Sequence, residues 1–590
     1  MSDKQIYETI DKSLTILRNN FKYSFGKKIT YDEIYEIISD LHVLFQNYEH
    51  NVKSCGELVI DRYIPILDLM IKIDTNTNHL RDYNDFLKYA YKLGARVSLE
   101  HYMVYREWEE PEKDKLFEPR YNILVGYIHY LQELECNPNF LWLIFNCPSG
   151  YGKTFPKKIS EAWSFGINNT GAFLSICSND DVVKAGSRAV IDEMKSEAFG
   201  EVFPNMKWNE EDKDYFLKET DEKWKLKTCR MPFSYYAKTT QANVVGSRAS
   251  KSIHIDDLYP DYKEAMNQST NKYYDNKSKT VWEKRYVQNK PPKVCITGTL
   301  WASGDYIDLK IHQLKKDHEF KKHSKYPYTW ISEDGTCAII QVPALDYETG
   351  ESTCPELKST AELLKEKANM EEYLWETNFQ QRPTNPESLS FSYDKLRTYN
   401  IIPETEYKGA YAVIDATRKS GKDFFAMPVF KKVPNENSYD YYLKDALFTR
   451  TATKEMYMPV VEKIIEHHII KLVIESNVTS ELSQKIEQEL AKRGMHFCEI
   501  DEKYNTVPKA TRIENEKHIL KKQLVFPEKG MFGINTDVGK FMDNLTTYNS
   551  EGTNSNDDAP DSCAMFGSEI IEENSQPQIA EALPFIRDFM

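Results

Sequence analysis

The octapeptide Cys147-Pro148-Ser149-Gly150-Tyr151-Gly152-Lys153-Thr154 follows the apolar run FLWLIFN and carries the clearest chemistry in the chain. A strand that breaks into a small-residue turn ending in Gly-Lys-Thr can wrap nucleotide phosphates with its backbone N–H groups. In that reading Ser149, Gly150, Tyr151, Gly152, Lys153 and Thr154 bind ATP, with Lys153 on the β and γ oxygens and the Thr154 hydroxyl on Mg²⁺. Cys147 stands where the full pattern has glycine, and an ordinary strand-to-helix turn uses the same residue types. A nucleotide loop also needs acids on a second strand, which Ser252-Ile253-His254-Ile255-Asp256-Asp257 supplies. Asp256 would hold Mg²⁺ through water, and Asp257 would orient or deprotonate the attacking water. Thr299, after the strand Ile296-Thr297-Gly298, is placed to sense the γ-phosphate. Arg248, just upstream of the acidic strand, would enter a neighbouring subunit's site and stabilise transition-state charge; a solvated arginine is the plainer alternative.

A second constellation lies in the C-terminal half. Asp415 ends the apolar strand Tyr411-Ala412-Val413-Ile414 and is followed by a basic turn and a return strand. Glu475 ends the strand Ile470-Lys471-Leu472-Val473-Ile474, and the segment Asn556-Asp557-Asp558-Ala559-Pro560-Asp561 adds acids at a helix start. Carboxylates from neighbouring strand ends and one helix form an oxygen-rich cage for two Mg²⁺ or Mn²⁺ ions, suited to in-line attack on a phosphodiester. Asp415, Glu475 and Asp561 are the expected ligands, with Asp558 and Asp557 as alternatives to Asp561. Asp423 is an auxiliary candidate, and Asp445 reads as a surface acid. Lys503, Lys509 and Arg512 could contact a DNA backbone that the cage would repel, or simply form a solvated face.

These sites need two α/β scaffolds, and the chain is long enough for them. Its 590 residues suggest two to four domains, and 41% hydrophobic and 13% aromatic content exclude wholesale disorder. Residues 1–117 show helical periodicity (Ile34, Ile37, Ile38, Leu41, Leu44, Phe45; then Phe86, Tyr89, Ala90, Leu93) without chemistry, as in an accessory region. Strands LWLIFN, GAFLSICS, KSIHID and KVCITGT alternate with amphipathic helices, the pattern of a parallel sheet. The expected division is an ATPase domain at 118–385, a linker at 386–408, a nuclease domain at 409–575 and a tail at 576–590. No apolar stretch approaches the roughly 20 residues of a membrane span, and the start MSDKQIYETIDKSL lacks a signal pattern, so no membrane partner and no export are expected. Ten scattered cysteines without CxxC pairs suggest reduced thiols. The net charge of −15 argues against broad coating of nucleic acid, but not against a narrow basic channel.

The order of these motifs resembles the large terminase subunit of tailed bacteriophages, over roughly residues 118–570. Ser175–Asp181 with Ser187-Arg188 and Phe203-Pro204 is similar to the family's stretch after the phosphate loop, and Ile255-Asp256-Asp257 followed by Glu264-Ala265 to its magnesium strand. Thr299-Leu300-Trp301 with Asp305 resembles its coupling motif, Phe379-Gln380-Gln381-Arg382-Pro383 the segment before its nuclease, and Asp557-Asp558-Ala559-Pro560-Asp561-Ser562-Cys563-Ala564 its terminal acidic motif. Leu300 stands where arginine is usual, which moves that role to Arg188 or Arg248. Asp257 replaces a frequent glutamate, and no adenine-contacting glutamine motif precedes residue 140. The resemblance implies a P-loop ATPase domain followed by an RNase H-like nuclease. It also implies ATP and Mg²⁺ (or Mn²⁺ at the nuclease) as cofactors, with double-stranded DNA, a portal protein and a small terminase subunit as partners. A homo-oligomeric ring on a procapsid in the host cytoplasm would complete the assembly. An ATP-driven helicase-nuclease of DNA repair or a nucleotide-regulated nuclease are the alternatives; no helicase motifs appear between 310 and 410.

Overall fold

The computed structural model describes residues 2–22, 30–74, 76–211, 215–218, 220–244, 246–287, 289–384, 389–415, 424–435, 438–475, 480–504, 507–550, 554 and 556–572. The chain forms two compact units that interleave in sequence. One comprises Met1–Leu363 with Thr377–Pro383, the other Leu364–Glu376 with Thr384–Met590.

In the first unit, helices α1 (Asp3–Lys22), α2 (Tyr31–Tyr48), α3 (Val52–Leu58), α4 (Ile64–Ile73), α5 (Thr77–Ala95) and α6 (Leu99–Arg106) precede α7 (Tyr121–Cys136). The apolar positions read at helical spacing in α2 do face a core: Ile34, Ile38, Leu41 and Phe45 are buried with Leu67 and Tyr83 of α4 and α5. Thr30 closes a capping box with Glu33 that starts α2. This helical region is part of the same unit as the sheet, because α6 lies on the helices behind it. Tyr102 donates to Glu193 at 2.6 Å, and the indole N–H of Trp163 donates to the Ala95 carbonyl at 2.8 Å.

The sheet of this unit has ten strands: β1 (Trp142–Asn146), β2 (Phe173–Cys177), β3 (Phe216–Lys218), β4 (Lys223–Leu226), β5 (Tyr235–Thr239), β6 (Ile253–Asp256), β7 (Val294–Gly298), β8 (Phe320–Lys322), β9 (Thr329–Ser332) and β10 (Cys337–Gln341). Their order is β3-β4-β5-β2-β6-β7-β1-β10-β9-β8. The run β5-β2-β6-β7-β1-β10 is parallel throughout. Leu143, Ile144 and Phe145 are fully buried, as a strand covered on both faces requires. Helices α8 (Thr154–Ile167) and α9 (Asp180–Lys195) follow β1 and β2, and Asn179 caps α9 by accepting from the Val182 N–H. The four strands expected from sequence are β1, β2, β6 and β7. A fifth, β10, lies directly beside β1 although the sequence reading left residues 311–405 as mixed structure.

The second unit has seven strands: β11 (Arg397–Tyr399), β12 (Ala410–Ile414), β13 (Phe425–Pro434), β14 (Tyr439–Thr449), β15 (Ile469–Glu475), β16 (Glu499–Lys503) and β17 (Leu524–Pro527). In the order β11-β17-β14-β13-β12-β15-β16, β14-β13-β12 are antiparallel and β12-β15-β16 parallel. That mixed five-strand arrangement is RNase H-like, so the protein is α/β in both units. Two apolar clusters cover the two faces of this sheet, one around Phe430, Phe448 and Phe541, the other around Ile414, Val461 and Ile474. Two stretches sit differently from the sequence division. Residues 397–399, counted as linker, are an edge strand, and Leu364–Glu376, counted with the ATPase, belong to the second unit, where Lys367 pairs with Asp543 at 2.5 Å. No helix among the described residues is long and apolar enough to cross a membrane.

Candidate functional sites

The turn after β1 is shaped by two glycines in the left-handed region, Gly150 at φ 85° and Gly152 at φ 89°. It delivers Lys153 to the mouth of the sheet, one residue before α8 begins. The Lys153 ammonium donates to Thr299 Oγ1 at 3.1 Å and lies 3.3 Å from Asp257 Oδ1. Thr299 in turn donates to the Cys147 carbonyl at 3.3 Å, which ties the end of β7 to the start of the turn. The parallel register makes this meeting necessary: Asn146 pairs with Gly298, and Asp256 with Thr297, so the three C-terminal strand ends lie side by side. Asp257 has φ 42°, an uncommon conformation for a non-glycine residue that turns the chain sharply at the strand end. Burial raises the Asp257 pKa against the opposing pull of Lys153. Burial also works against charge on Lys153, but Asp257 and then Cys147 and Asp256 offset it, and the lysine stays above its ordinary value.

Beneath this layer, Lys157, one helical turn after Lys153 on α8, forms a fully buried ion pair with Asp256 Oδ2. The other oxygen of Asp256, Oδ1, is buried and accepts no hydrogen bond among the described residues. The unpaired carboxylate oxygen of Asp256 and the Thr154 hydroxyl are both hard oxygen donors, the kind that Mg²⁺ takes. Ser149, Gly150, Tyr151, Gly152, Lys153 and Thr154 thus form one turn, with Asp256, Asp257 and Thr299 at the adjoining strand ends.

Arg248 is elsewhere. It precedes the first residue of β6, at the edge of the sheet opposite the turn, and its guanidinium donates to the Tyr286 carbonyl at 3.1 Å. Arg188 pairs with Asp221 at 2.9 Å on the surface. Asp305 caps the helix Tyr306–Asp317 and accepts from the N–H groups of Trp301 and Ala302, while Asn378 donates to the Leu300 carbonyl. The sequence reading missed Lys157, although a lysine at i+4 from Lys153 on a helix was a usable signal.

In the second unit, Ile414 pairs with Ile474, so Asp415 and Glu475 leave adjacent parallel strands at the same level. Asp561 lies on the helix Asp558–Phe566, whose first residue is Asp558. Asp415, Glu475 and Asp561 each offer an oxygen within 4.8 Å of the others, and all three are buried. Three converging carboxylates fit Mg²⁺ or Mn²⁺ better than a softer metal. Asp558 accepts from the Phe424 N–H at 2.9 Å and lies at the rim of the same cluster.

The helix Lys509–Gln523 supplies the counter-charge. Lys509 Nζ lies 3.0 Å from Asp415, 2.9 Å from Asp558, 3.4 Å from Asp561 and 3.7 Å from Asp557. Arg512 Nε donates to Asp561 at 2.6 Å, and Nη1 lies 3.3 Å from Glu475. Both cations therefore point into the acidic cluster, where buried carboxylates demand compensation. Lys503 pairs with Glu569 at 3.3 Å. Burial raises the Asp415 pKa well above the carboxylate range; Lys509 opposes this, and Asp561 and Asp558 add to it. The same acids lift Lys509 above its ordinary value despite its own burial. Asp423 lies outside the described residues. Asp445 is paired with His467 at 2.7 Å and with Lys463, not loose on the surface.

No protein-family model and no curated protein matches the sequence. Among solved structures, the chain is similar to the large terminase of a thermophilic bacteriophage, in complex with ATP-γ-S, in complex with ADP, and in another crystal form. Each alignment has 10% identity and covers 77% of this chain and 98% of that one, with TM-scores of 0.28, 0.26 and 0.25. Superposition this loose transfers no residue's role, so the site assignments rest on the geometry above.

Proposed function

We propose that this chain is a two-activity subunit of a viral DNA-packaging motor. One unit would hydrolyse ATP to move double-stranded DNA into a procapsid, and the other would cut concatemeric DNA. The observation that carries the proposal is the presence in one chain of two built sites. They are a glycine turn whose lysine meets two strand-end partners, and a buried carboxylate trio on an RNase H-like sheet.

In the first unit Lys153, Thr154 and the turn's N–H groups would hold the phosphates, and Asp256 the Mg²⁺ that neutralises them. Asp257, at the mouth, would accept the proton of the attacking water or orient it. Burial raises its pKa above the ordinary carboxylate value, which strengthens it as a base, while Lys153 opposes that shift. Thr299 bridges Lys153 to the Cys147 carbonyl, so loss of the γ-phosphate would reach β7 and the following turn through one hydroxyl.

In the second unit Asp415, Glu475 and Asp561, with Asp558 at the rim, would hold Mg²⁺ or Mn²⁺, which supplies the activated water and charge stabilisation of phosphodiester cleavage. Lys509 and Arg512 would offset the mutual repulsion of these acids and hold them oriented. Portal protein, small terminase subunit and a homo-oligomeric ring in the host cytoplasm belong to the same proposal, as does a role for Arg248 in a neighbouring subunit's site. ATP hydrolysis by the full chain should rise several-fold when double-stranded DNA is added. A rate indifferent to DNA over a wide concentration range would instead favour a nuclease with a regulatory nucleotide domain.

A further inference from the structure

The nucleotide turn has a neighbour that its sequence motif does not contain. Arg120 closes the short helix Glu118–Arg120 and leads into α7. Its guanidinium lies against Gly152: a methyl group at Gly152 would sit 2.7 Å from Arg120 Nη1 and 3.6 Å from its Cζ. The bare glycine is therefore fitted to an arginine that reaches it from 32 positions upstream in the sequence.

Three observations give this contact a direction. The first is rigidity. Phe117, at the start of the turn, is fully buried, and the buried carboxylate of Glu107 accepts the N–H groups of Leu116 at 3.1 Å and Phe117 at 2.9 Å. Helix α7 then packs on the sheet, with the Tyr127 hydroxyl 3.1 Å from Thr297 Oγ1. The second is charge. Lys153 is matched by Asp257, and Lys157 by Asp256. The Arg120 side chain has neither an ion pair nor a hydrogen bond among the described residues, and it is only half-buried, so its donors stay open to a ligand. The third is chemistry. A guanidinium offers a planar fork of N–H donors that matches two phosphate oxygens at once, and it stays charged throughout turnover.

We infer that Arg120 is an arginine of the nucleotide site supplied by the same chain, and that it binds the phosphate chain of ATP and stabilises the charge that develops on hydrolysis. The inference rests on the reading of residues 147–154 as a nucleotide site. It goes beyond that reading by giving the site an arginine from within the chain and outside every sequence motif, distinct from the neighbouring-subunit role proposed for Arg248.

The test uses the full chain carrying Arg120→Ala, Arg120→Lys or Lys153→Ala, with ATP-γ-S binding by calorimetry and steady-state hydrolysis of ATP. Arg120→Ala should lower kcat/KM about 10- to 100-fold, the range of one or two charge-assisted hydrogen bonds. Arg120→Lys should recover part of that loss, and millimolar guanidinium chloride should partly rescue Arg120→Ala while leaving the wild type unchanged. Kinetics within about twofold of wild type for Arg120→Ala would overturn the inference. So would a loss that tracks a lowered melting temperature and is not rescued by guanidinium, because a buttress would behave that way. Unimpaired ATP-γ-S binding by Lys153→Ala would instead overturn the nucleotide reading itself, so the two failures are distinguishable.

Discussion

Gly152 shows how one atom decides what a turn can do. Its φ of 89° and its contact with Arg120 both exclude a side chain. Gly152→Ala should cost about 1–2 kcal/mol from the left-handed backbone alone. It should also weaken ATP-γ-S binding well beyond what that destabilisation explains, because Arg120 and the turn must move apart. Calorimetric binding set beside thermal melting separates the two effects. Lys509 is the corresponding residue of the second site. Lys509→Ala leaves Asp415, Asp558 and Asp561 without their shared cation, so the metal-free protein should lose on the order of 1–2 kcal/mol. Thermal melting in EDTA and then in millimolar Mn²⁺ should show a larger metal-induced stabilisation for the variant than for the wild type. An equal response would mean that Lys509 does not compete for these carboxylates. Asp415 and Glu475 were legible in the sequence because each ends an apolar run. Arg120 was not, and Lys509 was named only as a possible DNA contact, since only tertiary packing brings them to their sites.

Helix α8 carries both the turn's threonine and a buried polar layer. Lys158 pairs with Glu161 at 3.1 Å and donates to the Tyr235 hydroxyl at 2.7 Å. His254 Nδ1 meets the other Glu161 oxygen, and Ser252 Oγ lies 2.8 Å from His254 Nε2. Burial lowers the His254 pKa against the opposing pull of Glu161. Burial alone would raise the Glu161 carboxyl, but Lys158, His254 and Lys157 outweigh it and hold it at about 2, below its ordinary 4.5. A depressed acid stabilises the fold above its unfolded pKa and loses that contribution as pH falls through its folded one. The first unit should therefore lose on the order of 3 kcal/mol from Glu161 between about pH 4.5 and pH 2. Glu161→Gln should remove that acid dependence while destabilising the fold at pH 7 by about 3–5 kcal/mol, through the uncompensated Lys158. Urea unfolding at a series of pH values reads both; an unchanged acid limb in the variant would contradict the assignment. The main strands were legible here because a strand buried on both faces reads as a continuous apolar run. β10 escaped because Cys337-Ala338-Ile339-Ile340 is short and lies between antiparallel edge strands and a polar segment, so no βα alternation marks it.

At the scale of the whole chain, the net charge of −15 and the partitioning of cations follow one pattern. Among the described residues, Lys153, Lys157, Lys509 and Arg512 are spent on carboxylates, whereas Arg120 at the turn after β1 is not. The two sites lie in separate compact units with separate cores, so damage to one should leave the other intact. The sequence marked both sites through motif residues at strand ends. It did not reveal that the units interleave, because Leu364–Glu376 carries a helical pattern that fits either unit and only pairs such as Lys367–Asp543 assign it. The most direct measurement is a crossed pair of substitutions in the full chain, assayed for ATP hydrolysis and for Mn²⁺-dependent DNA cleavage. Lys153→Ala should abolish hydrolysis and spare cleavage, and Asp415→Ala should abolish cleavage and spare hydrolysis. Both activities surviving both substitutions would contradict the account.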